Sequence, residues 1–203
     1  MRSSIFLRAS SERSLVHVFL IEAFALILVP SIKSVVEICV QYGMSTRRII
    51  YIKNDLGLNL PIYAFDIVDE VKFFSLDEAV LRLEDLTDRF ETSVLGKYPP
   101  GLIYLDAHPY KLLKEIISEV LKDGRFILVI HDCGRGLYNR YMPITRKENH
   151  LITSLTGMWE RHVLAELLGI KNPADLQIND TTTTNYRLRI FSTKHGLTVL
   201  LPK

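Results

Sequence analysis

The feature of this sequence that most constrains its fold is the alternation of short apolar runs with longer amphipathic ones. Four runs of five or six residues are apolar and rich in β-branched side chains, at 34–39, 61–66, 101–105 and 126–130. Runs of this kind predict strands that are buried on both faces. Between the last two runs, residues 112–121 carry apolar side chains at helical spacing. Strands that alternate with helices predict a parallel, doubly wound α/β sheet.

Further elements are predicted on both sides of these runs. Helices are expected at 11–28, 45–53 and 159–168. Two strands, at 186–192 and 197–201, are separated by a short turn and should form an antiparallel hairpin at the edge of the sheet. The predicted fold is therefore a doubly wound, mostly parallel, seven-stranded sheet with a C-terminal antiparallel hairpin.

The stretch after the second predicted strand has two interpretations. Ser75 and Glu78 fit a capping box, which predicts the start of a helix. Apolar residues then follow at helical spacing: Leu76, Val80, Leu83, Leu86 and Phe90. One more strand is needed to complete the sheet, and both 71–74 and 90–95 are candidates for it.

Length and composition limit the class of protein. The chain has 203 residues, which is the size of one domain. Its 25 basic and 23 acidic residues give a net charge of +2, so no strong nucleic-acid-binding surface is indicated. Cys39 and Cys133 are the two cysteines, and their number and spacing predict no disulfide framework.

The most apolar stretch of the sequence lies at 15–32. It contains His17 and Glu22, reaches a proline at position 30, and is shorter than the roughly 20 residues that a membrane span needs. We therefore expect no membrane span and a cytoplasmic location. Residues 1–33 are interpreted as an N-terminal helical extension packed on a single domain that spans 1–203. Its apolar surface is a candidate contact for a homodimer.

Polar residues follow the first two predicted strands, where ligands bind in open parallel sheets. Gly43 allows the backbone to approach a ligand closely, and Ser45 and Thr46 begin a helix whose free N–H groups can bind a carboxylate. Asp66 ends the second strand and can accept hydrogen bonds from both hydroxyls of a ribose. An ordinary strand-to-helix turn and a helix cap are the structural alternatives for these residues.

A second group of polar residues follows the strands at 101–105 and 126–130. Asp106 and Asp132 lie one strand–helix–strand step apart, so their carboxylates should be neighbours. Together with His108 or His131 they predict a divalent cation site, in which oxygen ligands favour Mg²⁺ or Mn²⁺ and an imidazole favours Mn²⁺, Fe²⁺ or Zn²⁺. Either histidine is also a candidate general base, because the usual histidine pKa lies near neutrality. Capping and loop anchoring are the structural alternatives.

These motifs resemble those of class I S-adenosylmethionine (SAM)-dependent methyltransferases. The segment 36–47, VEICVQYGMSTR, is similar to the E-I-G-x-x-x-G-x-S-T motif of small-molecule and sugar O-methyltransferases, including the macrocin-type enzymes. The resemblance covers about 34–132 and implies that Asp66 holds the ribose of SAM. It also implies which residues contact the methionine part of SAM: Glu37, Gly43, Ser45 and Thr46.

The same resemblance implies a metal-assisted reaction. In the metal-dependent members, acidic residues after the fourth and fifth strands bind Mg²⁺, and Asp106 and Asp132 occupy those places, with His131 beside them. The implied activity is transfer of a methyl group from SAM to a hydroxyl of a small molecule or sugar. Asp106, His108 and His131 are the candidate catalytic residues, and in-line positioning would supply most of the catalysis.

Departures from the family pattern leave two other functions open. Cys39 and Val40 stand where the family usually has glycine, so their side chains are expected to narrow the cofactor pocket. A methyltransferase-fold binding or scaffold protein that has lost SAM binding is the first alternative. The second is a metallohydrolase, because Asp-Ala-His followed later by His-Asp is similar to the metal motifs of arginase-type enzymes. Those motifs have a further aspartate where this sequence has Tyr110.

Overall fold

A computed structural model describes residues 32–133, 159–176, 181–183, 185–191 and 196–203. Its eight strands are β1 Val35–Ile38, β2 Ile62–Asp66, β3 Val80–Leu83, β4 Leu102–Leu105, β5 Ile127–Ile130, β6 Thr181–Thr182, β7 Tyr186–Phe191 and β8 Leu197–Pro202. Its three α-helices are α1 Met44–Asp55, α2 Tyr110–Asp123 and α3 Glu160–Leu167. A π-helical turn at Glu91–Leu95 and a 3₁₀ turn at Pro173–Asp175 complete the described elements.

The strands form one sheet in the order β3-β2-β1-β4-β5-β8-β7-β6. Strands β1 to β5 pair in parallel, and β8 pairs antiparallel with both β5 and β7. The predicted doubly wound, mostly parallel sheet with an antiparallel hairpin is confirmed. The hairpin does not lie wholly at the edge, since β8 is next to β5. The two-residue strand β6 occupies that edge and is an eighth strand that the sequence did not predict.

The central strands are apolar because both of their faces are covered. Every residue of β1, β4 and β5 is buried. Alternate residues of β4 belong to different apolar layers: Ile103 packs in the layer of α2 and α3, and Tyr104 packs in the layer of α1. Gly101, just before β4, is required by close packing, since a Cβ there would lie 2.0 Å from the carbonyl oxygen of Ser34.

The segment between β2 and the π-helical turn differs from the prediction. Ser75 N–H and Oγ–H both donate to Glu78 Oε2, at 3.0 and 2.9 Å, as in a capping box. Only one turn follows, because residues 80–83 pair with β2 as the third parallel strand. The predicted helix is therefore wrong here, and neither 71–74 nor 90–95 is the missing strand. Pairing with the backbone of β2 outweighs the local helical pattern.

Some sequence predictions fall outside the described residues. These are the helix at 11–28, nearly all of the 1–33 extension, and part of the turn between β7 and β8. None of the helices in the described part of the chain has the length and apolar character needed to cross a bilayer.

Candidate functional site

Four neighbouring parallel strands end at the same level of the sheet, as the sequence predicts. The residues at these ends are Asp66 on β2, Cys39 after β1, Asp106 after β4 and His131 after β5. The N–H groups of Cys39, Asp106 and His131 each donate to a carbonyl of the neighbouring strand, at 2.9, 3.2 and 3.0 Å. Because the ladder continues to this row, the polar side chains of the four strands meet at one edge.

The turn after β1 has an unusual backbone. Cys39, Gln41 and Gly43 all have positive φ, at 65°, 50° and 83°. Residues other than glycine rarely adopt a positive φ, which explains why the related motif has glycine in this turn. At Gly43 the requirement is also steric, since a Cβ would lie 2.6 Å from Cδ1 of Phe74.

Three predicted cofactor residues bind one another beneath this turn. Glu37 is fully buried, and its carboxylate accepts hydrogen bonds from Ser45 Oγ and from Thr46 Oγ1, the latter at 2.6 Å. Burial raises the pKa of Glu37 to about 7, although both hydrogen bonds lower it. These contacts fix the first turn of α1 against β1.

A cleft of about 460 Å³ opens at the ends of β1, β2 and β3. Its lining includes Ile38, Cys39, Phe65, Asp66, Ile67, residues 84–87, Pro109, Lys111 and Leu112. Of the predicted cofactor residues, Asp66 lines the cleft, whereas Glu37, Gly43, Ser45 and Thr46 are not among its lining residues. Of the two residues that stand in place of glycine, Cys39 belongs to the lining and Val40, which is 3% exposed, does not.

Asp66 is held by three backbone groups. Its Oδ2 accepts from Gln41 N–H at 2.7 Å, and its Oδ1 accepts from Ile67 N–H at 2.7 Å and Val68 N–H at 3.3 Å. A carboxylate has about four acceptor positions, so capacity remains for a hydroxyl in the cleft. The contact with Gln41 also ties the end of β2 to the turn after β1.

The far wall of the cleft is fixed by helix α2. Glu115 accepts hydrogen bonds from Asp88 N–H at 2.6 Å and Phe90 N–H at 3.0 Å. Lys111, which lines the cleft, forms an ion pair with Asp88. The loop after β3 is therefore fastened to the same helix that borders the cleft. Sequence reasoning missed Glu115, because a surface glutamate on an amphipathic helix gives no signal of this contact.

Asp106, His131 and Asp132 form a compact cluster at the ends of β4 and β5. His131 Nδ1 lies 3.0 Å from Asp106 Oδ1 and 3.1 Å from Asp132 Oδ1. One ligand atom from each residue lies within 4.8 Å of the others, and no other such group of three occurs among the described residues. Two carboxylates and an imidazole fit a divalent cation, and Mn²⁺ suits both kinds of ligand.

His131 is positively charged in this arrangement. Burial lowers the pKa of His131, but its hydrogen bonds to Asp106 and Asp132 and their negative charges outweigh burial and raise the pKa to about 10. The imidazolium therefore balances one of the two carboxylate charges. The histidine must release this proton before the three residues can share a cation.

His108 is not part of this cluster but pairs with Glu160 of α3. Its Nδ1 lies 2.7 Å from Glu160 Oε1, and Glu160 is fully buried. The hydrogen bond to Glu160 raises the pKa of His108 to about 9 against the effect of burial. Burial in turn raises the pKa of Glu160 to about 7. Each histidine thus has an acidic partner that raises its pKa above the near-neutral value on which the general-base prediction rests.

The first turn of α3 connects the ends of β4 and β5. Glu160 holds His108, and the next residue, Arg161, is buried and donates to three carbonyl groups. The acceptors are Pro173 O at 2.7 Å, Cys133 O at 3.2 Å and Leu176 O. The sequence gives no signal of these contacts, because the partners are far apart in the chain. Glu160 is 52 residues from His108, and Arg161 is 28 residues from Cys133.

No protein-family model matches this sequence. No curated protein matches it either. Solved structures with a similar fold include TomG, an O-methyltransferase from Streptomyces achromogenes involved in tomaymycin synthesis and solved in complex with SAM. Its TM-score is 0.59 at 13% identity, and the match covers 94% of this chain and 78% of that one.

Two other structures extend this likeness. A cmcI structure described as D160 Mg-SAM has a TM-score of 0.56 at 13% identity, covering 94% of this chain and 72% of that one. The Bacillus cereus O-methyltransferase in complex with SAH has a TM-score of 0.51 at 13% identity, covering 95% and 91%. The sheet order and the similarity to these structures indicate the same fold. The chain has the Rossmann-like fold of the class I SAM-dependent methyltransferases.

Proposed function

We propose that this protein transfers the methyl group of SAM to a hydroxyl of a small molecule or sugar, with a divalent cation bound by Asp106, His131 and Asp132. The observation that carries the proposal is the position of this cluster one strand away from the cleft that begins at Cys39 and Asp66. The cleft has the volume of a small-ligand site. A bound methyl donor and a cation-bound hydroxyl would thus be neighbours.

The cofactor assignment is supported by the chemistry of the cleft. Asp66 is an oriented carboxylate with capacity for a ribose hydroxyl, and the apolar residues Ile38 and Leu112 line the same cleft. Cys39 adds a small side chain, and burial raises the pKa of its thiol to about 12, so it remains neutral. SAM would supply an electrophilic methyl group on a sulfonium, and the protein would orient it.

The cation assignment is supported by the donor set. Asp106 and Asp132 supply hard oxygen ligands, and His131 supplies nitrogen once it is deprotonated. A divalent cation would lower the pKa of a bound hydroxyl. The chain's own contribution is to fix the ligands: Arg161 binds the carbonyl of Cys133, directly after Asp132.

His108 is proposed to contact the acceptor. About a third of its side chain is exposed, while Glu160 fixes its Nδ1. With its pKa near 9 it is a hydrogen-bond donor at neutral pH, not a proton acceptor.

We propose a small acceptor and not a nucleic acid, because a net charge of only +2 indicates no strong nucleic-acid-binding surface. The fold alone does not select the acceptor, since a Streptococcus thermophilus rRNA methylase shares it with a TM-score of 0.50 at 15% identity, covering 95% of this chain and 98% of that one.

Calorimetric titration with SAM tests the cofactor assignment and separates it from the scaffold alternative. We expect one SAM to bind per chain with micromolar affinity or better. Absence of binding heat at several temperatures would contradict the proposal and favour a binding or scaffold protein.

Titration with Mn²⁺, followed by its electron paramagnetic resonance signal, tests the cation assignment. Asp132→Asn should weaken binding by about 100-fold or more, since even residues that only support a ligand change affinity by about 10- to 100-fold. Asp123→Asn is the matched control, because Asp123 binds Arg125 at the other end of α2. Two tightly bound ions per chain would favour the metallohydrolase alternative instead.

A further inference from the structure

The exposed hydrophobic residues are concentrated in one part of the chain. All nine large hydrophobic side chains that are exposed within the described residues lie in 42–51 or 67–83. Six belong to the second stretch, which runs from the end of β2 through β3, and we name them the β3 patch: Ile67, Val68, Phe73, Leu76, Val80 and Leu83. Exposed apolar patches of this kind mark interfaces in soluble proteins.

Two members of the β3 patch, Val80 and Leu83, lie at the two ends of β3 and on opposite faces of the sheet. At one end, Leu83 is level with Asp66, the residue before Ile67. At the other end, the single helical turn directly before β3 carries Leu76. Exposed fractions run from 38% for Val80 to 71% for Ile67, so even the partly covered members are open to a partner.

Among the described strands, β3 is also an edge of the sheet. Glu84 N–H donates to the carbonyl of Asp66 at 2.9 Å, towards β2. Hydrogen-bonding direction alternates along a strand, so the N–H and C=O groups of Leu81 and Leu83 point away from β2. No strand in the described part of the chain pairs with that edge. Such an edge is a template for another strand.

We propose that the β3 patch is the interface of a homodimer in which the β3 edges of two copies meet. A two-fold axis at this edge would pair the strands antiparallel and cover the same patch on both copies. The arrangement satisfies the free backbone groups and buries the apolar side chains together. This interface differs from the candidate homodimer contact suggested by the sequence, which was the N-terminal extension.

The area of the patch suits a second copy. Its exposed fractions together equal about three fully exposed side chains. A standard interface takes about 800 Å² from each partner, so these side chains supply part of that area and the β3 backbone supplies more. This inference does not depend on methyl transfer.

Sedimentation equilibrium of the full chain tests the proposal. We expect the wild type to have twice the 23.3 kDa chain mass and the double variant Leu76→Lys/Leu83→Lys to have the single-chain mass. Met44→Lys is the control, because Met44 is 55% exposed but lies outside the patch, and it should remain dimeric. A monomeric wild type, or a double variant that stays dimeric, would overturn the interface.

Amide hydrogen exchange of the wild type supplies a measurement that does not rely on variants. The N–H groups of Leu81 and Leu83 should exchange more slowly as protein concentration increases, because dimerisation pairs them. Exchange of Leu58 and Lys97, outside the patch, should not depend on concentration. Concentration-independent exchange at Leu81 and Leu83 in a dimeric sample would place the interface elsewhere and refute the proposal.

Discussion

Cys39 illustrates how a residue can depart from a motif while keeping the backbone that the motif requires. Its φ of 65° is the left-handed conformation that explains glycine in the related motif, and Cys39 lines the cleft. The sequence also suggested Val40 as an obstacle to the cofactor, but Val40 is buried away from the cleft. Which of two adjacent side chains faces a cavity depends on turn geometry, which the motif alone does not give.

Asp66→Ala should weaken SAM binding by about 10- to 100-fold, because a hydrogen bond to a charged group contributes about 1.5–3 kcal/mol. Isothermal titration calorimetry measures the change. Asp69→Ala is the control, since Asp69 is exposed three residues further along and should leave SAM affinity unchanged. Equal affinity of the two variants would remove Asp66 from the cofactor site.

The raised pKa of Glu37 predicts that the stability of the protein depends on pH. Its folded-state pKa of about 7 is above the ordinary value of 4.5, so the folded protein retains a proton that the unfolded chain loses between these values. This contribution to the free energy of unfolding is complete below pH 4.5 and is lost as pH rises through 7.

Glu37→Gln should remove that contribution. Between pH 5 and pH 8, the free energy of unfolding of the variant should improve relative to wild type by up to about 3 kcal/mol. Urea unfolding across this range measures it, with the exposed Glu91→Gln as control. Parallel pH profiles for wild type and Glu37→Gln would show that Glu37 is not protonated on folding.

At the level of elements, the sequence predicted the strands that are buried on both faces and missed the two edge strands, β3 and β6. Strands β1, β2, β4 and β5 were predicted within one or two residues, because their runs are continuously apolar. Strand β3 is an exposed edge, so its sequence lacks that signal and instead imitates a helix. Its identity is decided by pairing with β2, a contact that local spacing does not encode.

The packing of α1 against the segment before β3 depends on Gly43. Gly43→Ala should lower the free energy of unfolding by about 2–4 kcal/mol, combining the cost of a left-handed conformation with the contact to Phe74. Gly57→Ala is a matched control, because Gly57 has φ of 66° and a Cβ added there would meet no atom within 4 Å, so only the backbone cost of about 1–2 kcal/mol applies. Guanidinium unfolding gives both values, and equal losses would exclude the Phe74 contact.

Across the whole molecule, the fold followed from the alternation of strands and helices, whereas the site followed only in part. Placing Asp66, Asp106 and His131 in one row required only parallel strands of matched length. The pairing of His108 with Glu160 required the position of α3, which no local pattern predicts. Long-range contacts between charged side chains were thus the part of the site that the sequence could not predict.

Ligand binding should stabilise the whole domain. A ligand present at about 100 times its dissociation constant adds about 2.7 kcal/mol to the free energy of unfolding, which for a chain of this size raises Tm by roughly 5–10 °C. Differential scanning calorimetry with SAM and Mn²⁺, separately and together, measures this. Asp132→Asn should lose the Mn²⁺ increment and keep the SAM increment. Loss of both would indicate that the substitution disrupts the fold.

Arg161 binds the carbonyl of Cys133 on one side and those of Pro173 and Leu176 on the other. The end of β5 and the start of α3, which flank residues 134–158, are consequently joined by one guanidinium. A substitution of Arg161 would therefore loosen both of these chain segments together, and with them the backbone next to Asp132.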